Sequence, residues 1–438
     1  MTPDFSVQQS LGASEELYSL ATKLYPIGRS LTGNGVRETF KILRQLLPEL
    51  VTYEVPSGTT AFDWEVPDEW NIVSAQIVGP DNQVIVDYAN HNLHVVGYSM
   101  PIDTEMNLEE LQQHLHSLPD QPDAIPYVTS YYKRTWGFCL PHNVRKTLVA
   151  GTYQVRIVAD LRPGSLTYGE LVLPGETADE ILVSTYVCHP SMANNEISGP
   201  VVATFLARWI RHLPRRNTYR FIFVPETIGA LVYLSRNLEH LQQHTKAGFV
   251  VTCCGAPGQF SFMPSRTGTT YADRLATTVL SCHEPNFKTY SFLQRGSDER
   301  QYCAPLVNLP VVSVMRSKYH EYPEYHTSLD NLSFITPQAL HRTLEVYSEL
   351  VLAAEFNCTP IATVYGEPQL SRYGLYPTTG GQVDQAEIAM TLDLLALADG
   401  AHDLLNISRI TGHSVTTLRS RVELLASKNL ISILQPQL

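Results

Sequence analysis

Apolar strands and helices alternate between residues 179 and 315, and this alternation constrains the fold more than any other feature of the chain. The first stretch, DEILVSTYVC (residues 179–188), is apolar almost throughout, as strands buried in a parallel sheet are. Further strands are predicted at 218–226, 247–253 and 309–315, and helices at 199–213 and 228–240. The pattern predicts a three-layer α/β domain whose ligand site lies beyond the carboxyl ends of the strands.

Ionisable residues follow several of these predicted strand ends. CHPSMANNEISGP (188–200) comes directly after the first strand, Glu226 ends the second, and MRSKYHEYPEYHTSLDNL (315–332) follows the last. Histidines and carboxylates gathered from different strand ends suit Zn²⁺, for which three protein ligands and a water are the usual catalytic arrangement. The chain has no H-E-x-x-H motif, nucleophile elbow, phosphate-binding loop or dinucleotide fingerprint, so competing chemistries have weaker support.

The segments before and after the predicted α/β strands have different sequence patterns. Helices are predicted at 14–24 and 35–50. They are followed by short predicted strands that turn residues separate, with one helical stretch around 107–117. A winged helix is predicted near the end, with Gly412 in the turn of its helix-turn-helix. These patterns predict three domains. The α/β domain is discontinuous and comprises residues 1–56 and 164–358, the inserted β-rich domain comprises 57–163, and the winged-helix-like domain comprises 362–438. Arg29, in the loop between the first two helices, either lines a pocket for an anionic group or belongs to a simple helix connection.

Charge and hydropathy exclude some partners. The formal net charge is -12, whereas a general nucleic-acid binder needs a basic surface. No apolar run approaches the roughly 20 residues of a membrane span, and MTPDFSVQQS lacks the features of a secretory signal. We therefore expect a cytoplasmic protein with seven reduced cysteines that binds a small-molecule or peptide-like substrate, but no nucleic acid or membrane. The sequence is also compatible with a homo-oligomer.

A family resemblance rests on the order of these motifs. The order of the motifs resembles that of the zinc aminopeptidases of the phosphorylase-like α/β fold. It is a strand followed by His189, then A-N-x-x-x-S-G, a strand followed by Glu226, then G-S-D and finally H-T-S-L-D. Over nearly its full length the chain resembles, more narrowly, a bacterial aminopeptidase-like family often linked to polysaccharide biosynthesis. That resemblance implies a zinc-peptidase domain, a nested β-domain of unknown function and a C-terminal winged helix. The stretches that carry it include YPIGRSLTG, FDWEVPDEWNI, IPYVTSYYKRTWGFC, VPETIG and PEYHTSLDNL.

The resemblance implies roles for individual residues. His189 and His326 match the first and last metal-binding histidines, and Asp298 matches an aspartate that orients a ligand. Together with one carboxylate, Glu196 or Glu226, the two histidines are expected to hold a single zinc ion, and the other carboxylate to act as general base. We assign Glu196 to the metal and Glu226 to catalysis. The substrate is expected to contact Arg29, Arg316 and Tyr325, with Arg300 as a further candidate.

The chain departs from the aminopeptidase pattern at three positions. Asn195 replaces the aspartate that bridges two zinc ions, so we expect it only to support neighbouring ligands. Thr227 replaces the second residue of a Glu-Glu pair, and Cys253 or Cys254 lies where a further aspartate ligand is expected. A neutral carboxamide is a poor bridge between two dications, so the substitutions predict one ion rather than two.

Three functions are compatible with these observations. The leading hypothesis is a zinc-dependent, aminopeptidase-like hydrolase of an amide or peptide bond. The second is a non-catalytic binding protein on a decayed peptidase scaffold, motivated by Asn195 and the single glutamate at 226. The third, a transcription regulator, is suggested by the winged helix, but residues 386–438 carry four Lys/Arg against five Asp/Glu, and DNA binding requires phosphate-neutralising charge.

Overall fold

The computed structural model describes residues 12–376 and 385–435. Its strands, in chain order, are β1 (Val51–Pro56), β2 (Thr60–Ala61), β3 (Trp64–Glu65), β4 (Glu69–Val78), β5 (Val84–Asp87), β6 (Ile102–Asn107), β7 (Leu115–His116), β8 (Phe138–Cys139), β9 (Thr152–Arg162), β10 (Ser165–Leu173), β11 (Glu180–Tyr186), β12 (Thr218–Val224), β13 (Thr245–Val250), β14 (Ser261–Met263), β15 (Lys288–Thr289), β16 (Val311–Met315), β17 (Thr359–Ala362) and β18 (Ile431–Leu434).

The α-helices, in chain order, are α1 (Ser14–Leu24), α2 (Asn34–Arg44), α3 (Leu108–Gln112), α4 (His142–Lys146), α5 (Ser198–Ile210), α6 (Ile228–His244), α7 (Tyr271–His283), α8 (Glu299–Tyr302), α9 (Pro337–Phe356), α10 (Gln385–Ala396), α11 (Leu404–Thr411) and α12 (Val415–Ser427). Short 3₁₀ helices span Asn92–His94, Phe292–Gln294 and Leu370–Tyr373, and a π-helical turn spans Ala193–Ile197.

Eight strands form one mixed sheet in the order β1-β10-β12-β11-β13-β16-β14-β15. The central strands β12, β11, β13 and β16 are parallel, and antiparallel pairs extend the sheet on both sides. Side chains alternate across β11, because Ile181 and Val183 join one hydrophobic core while Leu182 joins the other. Helices α1, α5, α7 and α9 supply the first core and α6 the second, which gives the three layers predicted from the sequence.

A separate antiparallel sheet, ordered β5-β4-β9-β6, is formed by the strands between β1 and β10. Arg37 on α2 joins it to the large sheet, with 2.7 Å contacts from Nη1 and Nη2 to the two carboxylate oxygens of Glu69, at the start of β4. The same guanidinium donates to Glu54 in β1 and to Ser165 in β10. One cation therefore holds together the chain segments that enter and leave the inserted sheet.

The insertion also reaches the loop after β16. Pro126 forms an antiparallel bridge with Thr327, and the backbone N–H of Tyr127 donates to the carbonyl oxygen of His326 at 2.9 Å. The N–H of Ser328 donates to the Ile125 carbonyl at 2.9 Å. These bonds fix a segment of the insertion directly beside a predicted metal ligand.

Helices α10 to α12 with the β17–β18 pair form the predicted winged helix. Helix α12 packs against α9, where Thr416 Oγ1 donates to Glu349 Oε2 at 3.1 Å. Arg274 on α7 forms an ion pair with Asp403, at the start of α11, at 2.6 Å. Part of the surface of the winged helix is thus used for contact with the α/β domain. Residues 377–384 and 436–438 of the winged-helix-like domain predicted at 362–438 lie outside the described residues.

No helix in the described ranges is both long and apolar enough to cross a membrane. All seven cysteines are free thiols, and six of them are buried.

Candidate active site

The parallel strands bring the predicted site residues to one edge of the sheet. His189 follows β11, Glu226 follows β12 and Cys253 follows β13, while His326 lies in the loop after β16. Thr227, Cys253 and His326 each have positive φ, of 64°, 53° and 56°. Non-glycine residues adopt this conformation at a cost that the surrounding structure must offset, and they concentrate at functional sites.

His189 is oriented from behind by Glu196. Glu196 Oε2 lies 2.7 Å from His189 Nδ1, and its other oxygen accepts the backbone N–H of Cys188. Both side chains are buried. Because an ionised carboxylate only accepts hydrogen bonds, Nδ1 carries the proton and Nε2 faces the opposite direction. Glu196, predicted as a metal ligand, therefore occupies the position of a residue that orients the histidine.

The π-helical turn explains this placement of Glu196. The N–H of Ile197 donates to the carbonyl of Met192 at 3.1 Å, five residues back, instead of the four of an α-helix. The wider turn shifts the side chains that precede α5 by part of a turn. Glu196 is consequently directed back toward Cys188 and His189.

Glu226 faces the free side of the same imidazole. Its Oε2 lies 3.5 Å from His189 Nε2, while Ser297 Oγ donates to Oε1 at 3.1 Å. The backbone N–H of Glu226 donates to Cys188 Sγ at 3.2 Å. Burial raises the pKa of Glu226 above its ordinary value. The carboxylate is thus held in place by Ser297, and burial disfavours its charged form.

The GSDE segment supports Glu226 through the backbone. Glu299 Oε1 accepts the N–H groups of Gly296 and Ser297 at 2.8 and 3.0 Å, which positions the Ser297 hydroxyl. Asp298 Oδ1 accepts the N–H of Thr227 at 2.7 Å. Asp298, predicted to orient a ligand, contacts the backbone after Glu226, and burial raises its pKa well above the ordinary value.

His326 closes the site from the loop after β16. Its ring stacks on Tyr325, with centroids 3.9 Å apart and planes 12° apart, and lies 5.4 Å from the ring of His189. Burial, followed by the proximity of His189 and His320, lowers the pKa of His326 to about 2. The imidazole is therefore neutral, the form that binds metals. Tyr325, a predicted substrate contact, supports this ring.

Asp330 links the loop after β16 to the π-helical turn before α5. Its two carboxylate oxygens accept the N–H groups of Asn194 and Asn195 at 2.6 and 2.9 Å, and Tyr322 OH donates to it at 3.2 Å. Burial raises the pKa of Asp330 to about 6. The side chain of Asn195 donates to Tyr186 OH at 3.3 Å, while its Oδ1 is buried without a hydrogen-bond donor among the described residues. An acceptor in this state is suited to bind a cation.

The cysteines after β13 face different surroundings. Cys253 packs with Met315, Tyr319 and Tyr322, and its Sγ lies 4.0 Å from Asn195 Nδ2. Burial raises its pKa to about 12, so the thiol is protonated in the absence of a metal. Cys254 belongs to the core beneath the sheet. A ligand role for either cysteine stays a prediction.

Arg29 and Arg316, both expected to bind substrate, make internal contacts. Arg29 is buried beneath His189 and donates to the carbonyl oxygens of His189 and Leu24 at 3.2 and 2.7 Å. Arg316 donates to the Ala256 carbonyl at 2.6 Å and lies over the Phe260 ring at 4.7 Å. Neither residue is among those that line the cavity at the site. One buried nitrogen of each guanidinium, Arg29 Nη2 and Arg316 Nη1, has no hydrogen-bond acceptor among the described residues.

A cavity of about 280 Å³ opens above His189, Glu226 and His326. Its wall is rich in aromatic side chains from the insertion that were assigned no role from the sequence: Trp64, Tyr127, Tyr131 and Tyr132. Tyr127 OH and Tyr131 OH share a hydrogen bond of 2.7 Å. The remaining lining includes Arg300, which donates to Thr227 Oγ1. The stretch IPYVTSYYKRTWGFC, one of those that carry the family resemblance, contains the three tyrosines and was the available signal for this part of the wall.

The site partly fits a zinc ion. Nε2 of His189, which the contact of Nδ1 with Glu196 leaves free, is a nitrogen donor of the kind that zinc binds. The neutral His326 ring, centred 5.4 Å from the His189 ring, offers a second nitrogen donor, and the unpaired Asn195 Oδ1 is an oxygen donor in the adjoining π-helical turn. Within the described ranges, however, the group of three potential ligands whose atoms all lie within 4.8 Å is Cys188, His189 and Glu196. His326 is outside that distance, so the predicted set of His189, Glu196 and His326 is not assembled as three ligands.

The fold is that of the zinc aminopeptidases, with a winged helix added. A zinc aminopeptidase from Bacillus subtilis covers 78% of this chain and 95% of its own length, at TM-score 0.56 and 13% identity. An aminopeptidase from Aneurinibacillus sp. strain AM-1 covers 81% and 96%, at TM-score 0.51 and 14% identity. At these identities the likeness shows the fold alone.

The chain belongs to the family defined by a domain of unknown function, DUF4910, whose model matches residues 18–357; a winged helix-turn-helix model matches residues 359–433. A Clostridium acetobutylicum protein is 40% identical over 430 residues, 98% of each chain, and is provisionally named as a polysaccharide biosynthesis protein with an aminopeptidase-like domain. A crystal structure from the same organism, provisionally described as a peptidase, has TM-score 0.92 and 38% identity over 98% of each chain. The predicted family and fold class are confirmed.

Proposed function

We propose that this protein is a metal-dependent hydrolase of an amide bond, with one zinc ion held by His189, His326 and the Asn195 carbonyl oxygen, and with Glu226 as general base. The observation that carries the proposal is the 3.5 Å separation of Glu226 Oε2 and His189 Nε2 at the floor of the cavity. This arrangement allows a carboxylate to contact a water beside a metal-bound imidazole. Glu196 is assigned to the orientation of His189 and no longer to the metal.

When bound, zinc supplies a Lewis acid that polarises the substrate carbonyl and lowers the pKa of a coordinated water. Glu226 Oε2 then accepts the proton of the attacking water and returns it to the leaving nitrogen. Ser297 keeps Oε1 engaged, so that the other oxygen points toward the reacting atoms. Burial favours the neutral carboxylic acid and so assists the return of the proton.

The substrate is proposed to be a small or peptide-like amide used in polysaccharide or small-molecule biosynthesis. The support for that setting is the name of the 40% identical relative. The aromatic wall from the insertion can cover an apolar portion of such a substrate. We further propose a contact role for the winged helix, without nucleic acid, because α12 packs on α9 and the charge balance of 386–438 is not basic.

The test compares metal binding with hydrolysis in the full chain. Zinc content after purification, zinc titration by calorimetry and hydrolysis of a panel of chromogenic aminoacyl anilides are measured for the wild type, His189→Ala, His326→Ala and Glu226→Gln. We expect the histidine variants to lose zinc and activity, and Glu226→Gln to lose activity alone. A wild type that binds no zinc, gains no thermal stability from it and hydrolyses no amide would contradict the proposal.

A second candidate is a non-catalytic binding protein on the same scaffold. It is favoured by the neutral residues Asn195 and Thr227, which replace acidic positions of the aminopeptidase pattern. In that case Glu226→Gln would leave biological function intact. Loss of function in a folded Glu226→Gln protein would exclude it.

A further inference from the structure

Arg300 lies at the junction of two cavities. It lines the site cavity above Glu226 and also a larger neighbouring cavity of about 590 Å³. The larger cavity is lined by three arginines, Arg266, Arg295 and Arg300, and by no aspartate or glutamate. In a chain with net charge -12, this is a local concentration of positive charge.

Few donors of the three guanidinium groups are used in hydrogen bonds among the described residues, and Arg300 also lies close enough to Glu226 and Asp298 to act against the rise that burial causes in the pKa of each. Arg266 donates to Asn308 Oδ1, Arg300 donates to Thr227 Oγ1, and Arg295 lies over the Phe292 ring at 5.0 Å. Among the described residues, none of the three forms an ion pair, whereas Arg37 and Arg220 each contact two carboxylates. Guanidinium groups in this state can bind an oxyanion in a bidentate manner.

The remaining wall of the larger cavity is apolar. Phe292, Leu293, Ala304 and Pro305 line it, and Leu293 is 81% exposed. A ligand that fills this space therefore combines an anionic group with carbon-rich surface. Several convergent arginines favour a compact oxyanion that carries more than one negative charge on one group over carboxylates, which carry one charge each.

We propose that this cavity is a subsite for a phosphoryl group carried by the substrate. Arg300 places the subsite next to the residue after Glu226, so the phosphoryl group and the amide to be cleaved belong to one ligand. The assignment of the cleaved amide to the same ligand rests on the proposed hydrolase function, whereas the anion site itself does not. It defines the substrate class as a phosphorylated amide, which a simple aminopeptidase substrate is not.

The first experiment measures anion binding itself. Inorganic phosphate and, separately, succinate are titrated by calorimetry at low salt into the full-length wild type, the double variant Arg266→Gln/Arg295→Gln and the control Arg409→Gln. Arg409 is an exposed arginine of the winged helix without an ion pair among the described residues. We expect phosphate to bind more tightly than succinate, and the double variant to bind it at least about tenfold more weakly than the wild type and the control, because two charged donors are lost.

Two results would overturn the subsite. One is unchanged phosphate binding in the double variant, and the other is succinate binding as tight as that of phosphate. A His326→Ala variant is titrated in parallel, because phosphate can also bind to a metal ion. Retained phosphate binding in His326→Ala supports the subsite, and its loss there would assign phosphate to the metal site and contradict the proposal.

Hydrolysis separates this inference from the proposed function. The double variant leaves His189, Glu226 and His326 untouched, so we expect it to hydrolyse an uncharged anilide at a rate that phosphate inhibits less, as a fraction of the variant's own uninhibited rate, than it inhibits the wild type. If the wild type binds phosphate at the arginines yet hydrolyses nothing, the hydrolase fails and the anion site stands. If hydrolysis occurs and the double variant is inhibited by phosphate like the wild type, the anion site fails alone.

Discussion

The carboxylate of Glu196 lies 2.7 Å from Nδ1 of His189, on the side of the ring that faces away from the cavity. This relationship is the basis for our proposal that Glu196 fixes the tautomer of His189, whereas the sequence predicted it as a metal ligand. Carboxylate–histidine pairs of this kind raise the basicity of the ligand and fix its direction.

Glu196→Ala should weaken zinc binding by about 10- to 100-fold, because His189 loses its orienting partner. The buried N–H of Cys188 also loses its acceptor, so a small loss of thermal stability is expected. Zinc titration by calorimetry and thermal unfolding measure the two effects. Glu239→Gln, at an exposed position on α6, is the control. Complete loss of zinc with unchanged stability would instead indicate a direct ligand.

Glu226→Gln should lower kcat by about 10²- to 10⁴-fold, the usual contribution of a general base, and leave zinc content unchanged. Glutamine can still accept from Ser297 but cannot take a proton from water. Steady-state kinetics on an anilide substrate and metal analysis of the same preparation are the measurements. Loss of zinc together with activity would show that Glu226 is itself a ligand.

Asn195→Asp should increase zinc affinity or stoichiometry, because it puts a charged donor where a buried carbonyl oxygen has no partner. Without metal the same substitution should destabilise the fold, since it buries an unpaired charge. Thermal unfolding with and without zinc tests both parts. A variant equally stable in both conditions, with unchanged zinc content, would place Asn195 away from any ion.

Tyr132→Ala and Trp64→Ala should raise KM with little change in stability. Both side chains line the cavity and are partly exposed, with ring centroids 6.0 Å apart. Removing them takes apolar contact from the substrate and leaves the core intact. Tyr365→Ala, at a fully exposed tyrosine, is the matched control. Unchanged kinetics in both variants would remove the insertion from substrate binding.

Acid should weaken the junction held by Arg37. The Arg37 guanidinium holds the pKa of Glu69 at about 2, below its ordinary value. A lowered pKa means that the stabilisation is complete above the ordinary pKa of the carboxyl group and is lost as the pH falls toward 2. Urea unfolding at pH 6, 4 and 2.5 should show a smaller acid-induced loss for Glu69→Gln than for the wild type. Equal losses in the two proteins would contradict this.

Much of the architecture could be predicted from periodicity. The central parallel strands and the winged helix follow the apolar pattern, and the motif order led to the correct family. The edge strands β14 and β15 were missed, because strands of three and two residues carry no measurable alternation.

Side-chain direction in the site was less accessible to prediction. His189 and His326 follow strands and share an edge, which spacing can indicate. Glu196 depends on a π-helical turn that no short motif announces, and Arg29 depends on carbonyl groups that happen to lie beneath His189. Only the folded backbone determines such contacts.

The bridge between Pro126 and Thr327 has a consequence for folding. It joins positions about 200 residues apart in sequence, as the bond between Ile125 and Ser328 also does, with a separation of 203 residues. Contacts between residues so far apart in sequence form slowly, because the entropy cost of closing the loop between them is large. His326 therefore reaches its place only when the insertion has folded and the loop after β16 has been synthesised. The geometry of the candidate site thus depends on a long-range contact between the insertion and this loop, which local folding alone does not form.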